Sequence, residues 1–324
     1  MARGLGLVLA LGLGACGSAG PMRPDLDELA PDRIAQRVID ARSGRVLSAD
    51  ALLARLGAVD VLVVGEEHGN PAFHAVQREV VELAYEVYDH RVAIGVEWLP
   101  ASMNLVLRGF TRPPAARDEP GVAAPAPPET RPEDLDELRR ASRWDELWGH
   151  DFAAYAPLWR TFRALGIEVS GLNAEPGLAR LVSRGGVDNV PPERKAELPP
   201  LDSGNPRHKT WFVERMAAAG HPHALGPDAL DRMYLAQLVW DETMAKNTRA
   251  LAEHVERGTR PKVIVLAGAG HVERALGIPA RLGPLRRLVI LPVEHMSDAL
   301  DRARDADFPD READLFWLPP EPRP

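Results

Sequence analysis

The chain has 324 residues, 45% hydrophobic and 27% charged, the proportions of an ordinary soluble globular protein with room for one large domain or two small ones. A formal net charge of -8, with no basic run or stripe to offset it, argues against a general affinity for nucleic acid.

The N-terminus reads MARGLGLVLALGLGACGSAG, in which Arg3 precedes an apolar run from Leu5 to Leu13 and then small residues. That is the pattern of a secretory signal, too short to span a bilayer as a mature helix. Leu13-Gly14-Ala15-Cys16 resembles a bacterial lipobox, whose cysteine is lipidated and becomes the mature N-terminus. The plainer alternative is an ordinary signal peptide with an incidental cysteine. Gly17, rather than Asp, after the cysteine points to the outer membrane of the bacterial cell envelope, and a diacylglycerol plus an N-acyl chain suffices for stable anchoring. Cys16 is the only cysteine, so once it is acylated the chain has no thiol for disulfides, thiolate zinc sites or iron-sulfur clusters. Any metal or haem must then be held by His, Tyr, Met or carboxylate.

Residues 1–16 are thus expected to be a lipoprotein signal peptide, 17–33 a tether, 34–310 a single α/β domain and 311–324 a C-terminal tail. RVIDARSGRVLS, from Arg37, reads as a β-hairpin, after which Ser48 caps a short helix through Leu56. VDVLVVGEEHGNP then opens as a buried strand and ends in two carboxylates and an imidazole. From Pro71 to His90, Phe73, Val76, Val80, Leu83 and Val87 recur at helical spacing. RVAIGVEWLP is a second core strand, and ASMNLVLRGF a short helix. Residues 111–132, rich in Pro and Ala and without period, read as a flexible excursion. Helical patterns resume at Leu135–Trp148 and Phe152–Leu165, GIEVSGLN is a third strand, and helices follow near 207–219 and 228–256. KVIVLAGAGH and RRLVILPVEH are the fourth and fifth strands. Continuous apolar strands alternating with helices predict an α/β fold, a mainly parallel sheet covered by helices on both faces, with a helical insertion between the third and fourth strands.

In such a sheet the carboxyl ends of the strands share one edge, where ligand sites form. Glu66, Glu67 and His68 follow the first core strand; Glu97 ends the second, Asn173 the third, Gly268-Ala269-Gly270-His271 the fourth, and Glu294-His295 the fifth. Two Gly-x-x-His elements, GEEH and GAGH, follow β-branched strands, where glycine lets the backbone turn sharply and approach a ligand. Two imidazoles with Glu66 and Glu97 suit a divalent metal such as zinc, manganese or cobalt. A histidine in such a loop can equally cap a helix or bond a carbonyl. Glu97, between Val96 and Trp98, needs a partner: one of these histidines, an arginine or a metal.

VVGEEHGNPAFHAVQ, VAIGVEWLP, QLVWDETMAKN and VIVLAGAGHVERALGIPARL together resemble, in family order, the ChaN-like haem-binding uptake lipoproteins of the Tiki superfamily, from about Arg37 to His295. The resemblance implies haem held in a pocket between two monomers, hence a homodimer, and a place in iron acquisition. The wider superfamily includes metal-dependent peptidases with two Gly-x-x-His elements and a glutamate; the matching positions are His68, His271 and Glu97, with Glu66 inside the first element. One departure is that the family's paired histidine reads Phe73-His74.

His74 and Gln77, one helical turn apart, either reach over the crevice or form a helix flank facing solvent. Gln237 and Asp241, at i and i+4, share a face. Asp241 either orients His68 or His271 from behind or pairs with a surface cation, and the resemblance favours the former. For haem, a tyrosinate, His or Met serves as axial ligand; no motif singles out one of Tyr85, Tyr88, Tyr155 and Tyr234, which read as core-rim residues with wet hydroxyls. His221-Pro222-His223 reads as loop composition or a metal scavenger. The expected protein is a lipid-anchored binder of haem or iron porphyrin; the alternatives are a metal-dependent hydrolase centred on His68, His271, Glu66 and Glu97, and a degenerate scaffold.

Overall fold

The computed structural model describes residues 29–112, 129–218, 226–255, 258–305 and 311–321. Cys16, most of the 111–132 excursion, and His221 and His223 lie outside the described residues.

Eight strands form one sheet: β1 (Val38–Asp40), β2 (Arg45–Val46), β3 (Val61–Glu66), β4 (Val92–Pro100), β5 (Glu168–Asn173), β6 (Lys262–Gly268), β7 (Arg287–Pro292) and β8 (Leu315–Trp317), in the order β2-β1-β8-β7-β3-β6-β4-β5. From β8 to β5 every pairing is parallel. The β1–β2 hairpin and the β1–β8 pairing are antiparallel. The fold is therefore the mainly parallel α/β sheet that the alternating pattern predicts.

The stretch read as a C-terminal tail contains β8, which lies inside the sheet between β1 and β7. Leu315, Phe316 and Trp317 are fully buried, and Trp317 Nε1 donates to Glu79 Oε2 at 2.8 Å. Three residues are too few to show a strand period, so the tail reading failed there for want of length.

Alternation along the strands sorts the core into two layers. Leu62, Val64, Ile94, Val96, Ile264 and Leu266 pack against the helices Pro71–Val87 and Phe152–Ala164. Val61, Val63, Ala93, Val263, Val265 and Ala267 face the other way, against Met244 and Ala245 of the long helix Pro227–Glu253. Each fully buried Val, Leu or Ile chain among them contributes about 1.5–3 kcal/mol. The helix after β3 starts abruptly because the Asn70 side chain accepts from Ala72 N at 3.0 Å and Pro71 fills the first helical position.

The helical insertion supplies Leu178–Gly185, Pro206–Ala218 and the first turns of Pro227–Glu253. These make two small apolar clusters of their own, one around Leu178, Val182 and Val239, the other around Trp211, Phe212 and Leu238. The insertion thereby brings the helix Pro206–Ala218 against the edge of the sheet where the strands end.

Candidate functional site

The two-layer alternation decides where each strand-end carboxylate points. Glu66 continues the Leu62–Val64 side of β3, toward the helix Pro71–Val87. Glu97 continues the Ala93–Gly95 side of β4, toward the helix Pro227–Glu253. The crevice between them is floored by Gly268, the last residue of β6. A Cβ there would lie 2.5 Å from His68 Cε1 and 2.8 Å from its Nε2, so only glycine lets the His68 ring settle over the strand.

On the first side, Glu66 is 2% exposed and surrounded by donors. Its Oε1 accepts from His68 Nδ1 at 2.8 Å, Trp98 Nε1 at 3.2 Å and Tyr155 Oη at 3.4 Å. Its Oε2 accepts from Gln77 Nε2 at 3.0 Å and lies 3.3 Å from His74 Nε2. Burial alone would raise its carboxyl pKa, but the hydrogen bonds and charge of His68 and His74 outweigh it and hold it at about 2. Glu66 is therefore an ionised acceptor that fixes His68 as an Nδ1–H imidazole and leaves Nε2 toward the crevice. The His68 side chain is 32% exposed, with the Trp148 ring edge-on at 4.7 Å and the His150 ring at 5.2 Å.

On the second side, His271 stands in the turn Ala269–His271 after β6. Its Nδ1 donates to Asp241 Oδ1 at 2.7 Å, and its Nε2 faces Glu97 Oε1 at 3.3 Å. Gln237 Nε2 lies 3.0 Å from His271 Nδ1 and donates to Gly270 O at 3.3 Å. Burial opposes a charge on His271, yet the flanking Glu97 and Asp241 raise its pKa to about 10, so it is an imidazolium at neutral pH.

Glu97 joins the halves. Its Oε2 accepts from Gly268 N at 2.6 Å, while Oε1 lies 3.3 Å from His271 Nε2 and 3.9 Å from His68 Nε2. Burial raises its pKa, and the charge and hydrogen bond of His271 more than reverse this, so it too is ionised. Asn173 acts on the backbone: its Nδ2 donates to Glu97 O at 2.8 Å.

The residues expected at the strand ends thus meet, but their roles divide. Glu66 lies behind the His68 ring, on the Nδ1 side, and cannot join His68 Nε2 in one coordination shell. The divalent-metal set of Glu66, His68, Glu97 and His271 therefore does not assemble as expected. Among the described residues, no group of three or more His, Cys, Asp or Glu side chains is arranged to hold a metal ion. His74 and Gln77 are buried, at 2% and 0% exposure, so they are not a solvent-facing flank. Asp241, also 0% exposed, is not a surface partner. Of the fifth strand's end, Glu294 accepts from Asn70 Nδ2 at 3.4 Å, and His295 is exposed.

The tyrosines are buried, and three have internal hydroxyl partners rather than wet ones: Tyr88 donates to Leu56 O, Tyr155 meets Gly69 N and Glu66, and Tyr234 meets His208. Burial pushes the Tyr88 and Tyr155 phenols up, away from tyrosinate. Sequence reasoning missed Trp98 and Tyr155 on Glu66, Trp148 and His150 beside His68, and His208 behind Asp241. The Trp148-Gly149-His150-Asp151 cluster between two helices was the one available signal.

A sequence profile of the family described as haem-binding uptake, Tiki superfamily, ChaN matches residues 52–282. The chain belongs to that family. Among solved structures it is similar to ChaN of Campylobacter jejuni, described by its cofacial heme binding, with a TM-score of 0.61 at 16% identity over 87% of this chain and 96% of that one. That likeness confirms the ChaN fold. Fainter likenesses are to the type III effector HopBA1 (TM-score 0.37, 14% identity, 83% of this chain and 92% of that one) and to a mutant of the erythromycin esterase EreC in its open conformation (0.40, 13%, 79% and 76%). No curated protein matches the chain.

The ChaN-family cofactor can be tested against the donors present. Tyr88 and Tyr155 are held as buried neutral phenols and do not suit an iron ligand. His68 does suit one: its Nδ1 proton is anchored on a carboxylate, its Nε2 is turned toward the crevice, and an indole and a second imidazole flank it. A groove of about 470 Å3 on the same edge is lined by Glu66, Glu67, Glu273, Glu294 and Asp298 with Arg215 and Arg302. That many carboxylates suit a porphyrin dicarboxylate poorly, so the exposed side of His68 is the better seat.

Proposed function

We propose that this protein binds haem, or a related iron porphyrin, at the bacterial cell envelope, with His68 as the residue that faces the iron. The observation that carries the reading is the Glu66–His68 pair. A buried carboxylate 2.8 Å from Nδ1 fixes the tautomer and gives the imidazole anionic character, which strengthens Nε2 as a donor to iron. Membership of a family described as haem-binding uptake supports the same ligand. Bound haem would supply the iron; Glu66, Trp98, Gln77 and Tyr155 hold His68 ready for it. A lipid anchor at Cys16, most simply in the outer membrane, fits a task in iron acquisition. Cofacial binding of the kind named for the Campylobacter jejuni protein would require two copies of this chain face to face, and a homodimer is part of the proposal.

Haemin titrated into protein lacking residues 1–16 tests this. The expected result is a Soret band saturating at one haem per chain and lost in His68→Ala. An unchanged free-haemin spectrum would remove the reading.

A second reading, a metal-dependent hydrolase, has one observation in its favour: both site histidines turn Nε2 toward the same oxygen, Glu97 Oε1, at 3.3 and 3.9 Å. Among the described residues these three side chains are not arranged around an ion, so the reading requires an ion to displace the His271 proton and draw them together. It predicts zinc, manganese or cobalt retained through dialysis and released in His271→Ala.

A further inference from the structure

The two site histidines are backed by carboxylates, and each carboxylate is backed in turn by a second, fully buried histidine. Behind Glu66 stands His74, whose Nδ1 donates to Ala154 O at 2.9 Å and whose Nε2 lies 3.3 Å from Glu66 Oε2. Behind Asp241 stands His208, from the helix Pro206–Ala218, 0% exposed, with Nε2 at 3.4 Å from Asp241 Oδ2. In both cases Nε2 is buried and has no aligned hydrogen-bond acceptor; the carboxylate oxygen is the polar group it faces.

The proton on His208 is assigned by its other neighbours. Arg281 Nη2 lies 3.3 Å from Nδ1, and a guanidinium can only donate, so Nδ1 is the lone-pair nitrogen. Tyr234 Oη, also 3.3 Å from Nδ1, points its hydroxyl to the same lone pair. The proton is therefore on Nε2, the atom that faces Asp241. Trp211 stacks on the ring at 5.8 Å and holds its plane. Burial, reinforced by the cationic Arg281, lowers the His208 pKa to about 4 in spite of Asp241, in keeping with a neutral ring.

We infer that His208 is a positioning residue that acts on the crevice through Asp241. Its Nε2–H approaches Oδ2 at 3.4 Å without an aligned hydrogen bond and sets positive polarity beside that oxygen, which also accepts from Gln237 Nε2 at 3.4 Å. Oδ1 is left to take the Nδ1–H of His271 at 2.7 Å, so that His271 presents Nε2 to Glu97. The inference rests on the reading that the ligand sits in the crevice on His68, with Glu97 and His271 fixed behind it. It extends that reading from a pair of histidines to two matched imidazole–carboxylate–imidazole chains.

The test is 15N NMR of histidine-labelled protein without any ligand, so it does not depend on whether haem binds. In the wild type, His208 is expected as the neutral Nε2–H form and His271 with a protected Nδ1–H. In His208→Leu, which removes a polar group facing buried Asp241 Oδ2, the His271 Nδ1–H should exchange with water roughly tenfold faster. His208→Gln, which returns an N–H toward Asp241, should restore most of the protection. A wild-type His208 protonated on Nδ1 would overturn the inference, and this needs no variant to fold. So would unchanged His271 exchange in His208→Leu, or a His208→Gln no better than His208→Leu. Haemin titration of the same wild-type sample reports separately on the proposed function.

Discussion

The Glu66 half and the Asp241 half of the crevice use the same parts and reach opposite electrostatic states. Each has a strand-end histidine, a carboxylate at its Nδ1, a glutamine beside the carboxylate and a buried histidine beyond. In the Glu66 half, His74 donates Nδ1–H to a carbonyl and turns Nε2 toward Glu66 Oε2 at 3.3 Å. In the Asp241 half, Arg281 pins the distal imidazole in its neutral form, and the charge sits instead on His271, between two carboxylates. The half that turns its site imidazole outward leaves a ligand-accessible Nε2 on His68. The half that buries its imidazole, at 11% side-chain exposure, holds a fixed cation. Matching geometry therefore does not give matching chemistry; the neighbour of the distal histidine decides where the proton stays.

The largest expected effect comes from removing the carboxylate with the most donors. Glu66→Ala strands His68, His74, Gln77 and Trp98 in a buried pocket and should cost about 3–5 kcal/mol of stability in denaturant unfolding. Asp241→Ala leaves the His271 cation still paired with Glu97 and a neutral His208 behind, and should cost less, about 1–3 kcal/mol. Equal losses would mean that the halves are not distinguished as described.

Gly268→Ala sharpens the comparison from the floor of the crevice. Its new Cβ would lie 2.5 Å from the His68 ring and 3.4 Å from Glu97 Oε2, so it should displace the outward half most. Overpacking there is expected to cost about 1–3 kcal/mol and to weaken haemin binding at least tenfold, read by the Soret titration.

Stability against pH separates the halves more gently. Glu66, held at about 2 against an ordinary 4.5, contributes stability that is complete above 4.5 and lost as pH falls toward 2. His271, raised to about 10 from 6.5, contributes stability that is complete below 6.5 and lost as pH rises through 10. Asp241→Asn should flatten the alkaline limb of a thermal-unfolding series and leave the acid limb as in the wild type. The His68 pKa is also raised, since Glu66 and Glu97 outweigh its burial, so haemin competes with a proton and its affinity should fall as the solution is acidified.

Much of this site is legible in the chain because strand ends in a parallel sheet share an edge. VVGEEH, GVEW and LAGAGH put Glu66, His68, Glu97 and His271 together from more than two hundred positions apart. The roles were less legible. Treating Glu66 and Glu97 as joint ligands overlooks the strand period: Glu66 follows Leu62 and Val64 while Glu97 follows Ala93 and Gly95, so the two point to opposite faces. Trp98 and Tyr155 read as core aromatics, which they also are, and nothing in their spacing marks the N–H and O–H aimed at Glu66. His208 sits in a helix whose place is set by the insertion packing on the helix Pro227–Glu253, a long-range contact with no local signature. β8 was hidden by its three-residue length.

The most direct test of the account is one haemin titration run on the wild type, His68→Ala and His271→Ala side by side. A saturable Soret band at one haem per chain is expected for the wild type, its loss in His68→Ala, and its retention in His271→Ala. Binding lost in His271→Ala but kept in His68→Ala, or lost equally in both, would contradict the assignment of the outward half as the ligand-binding one.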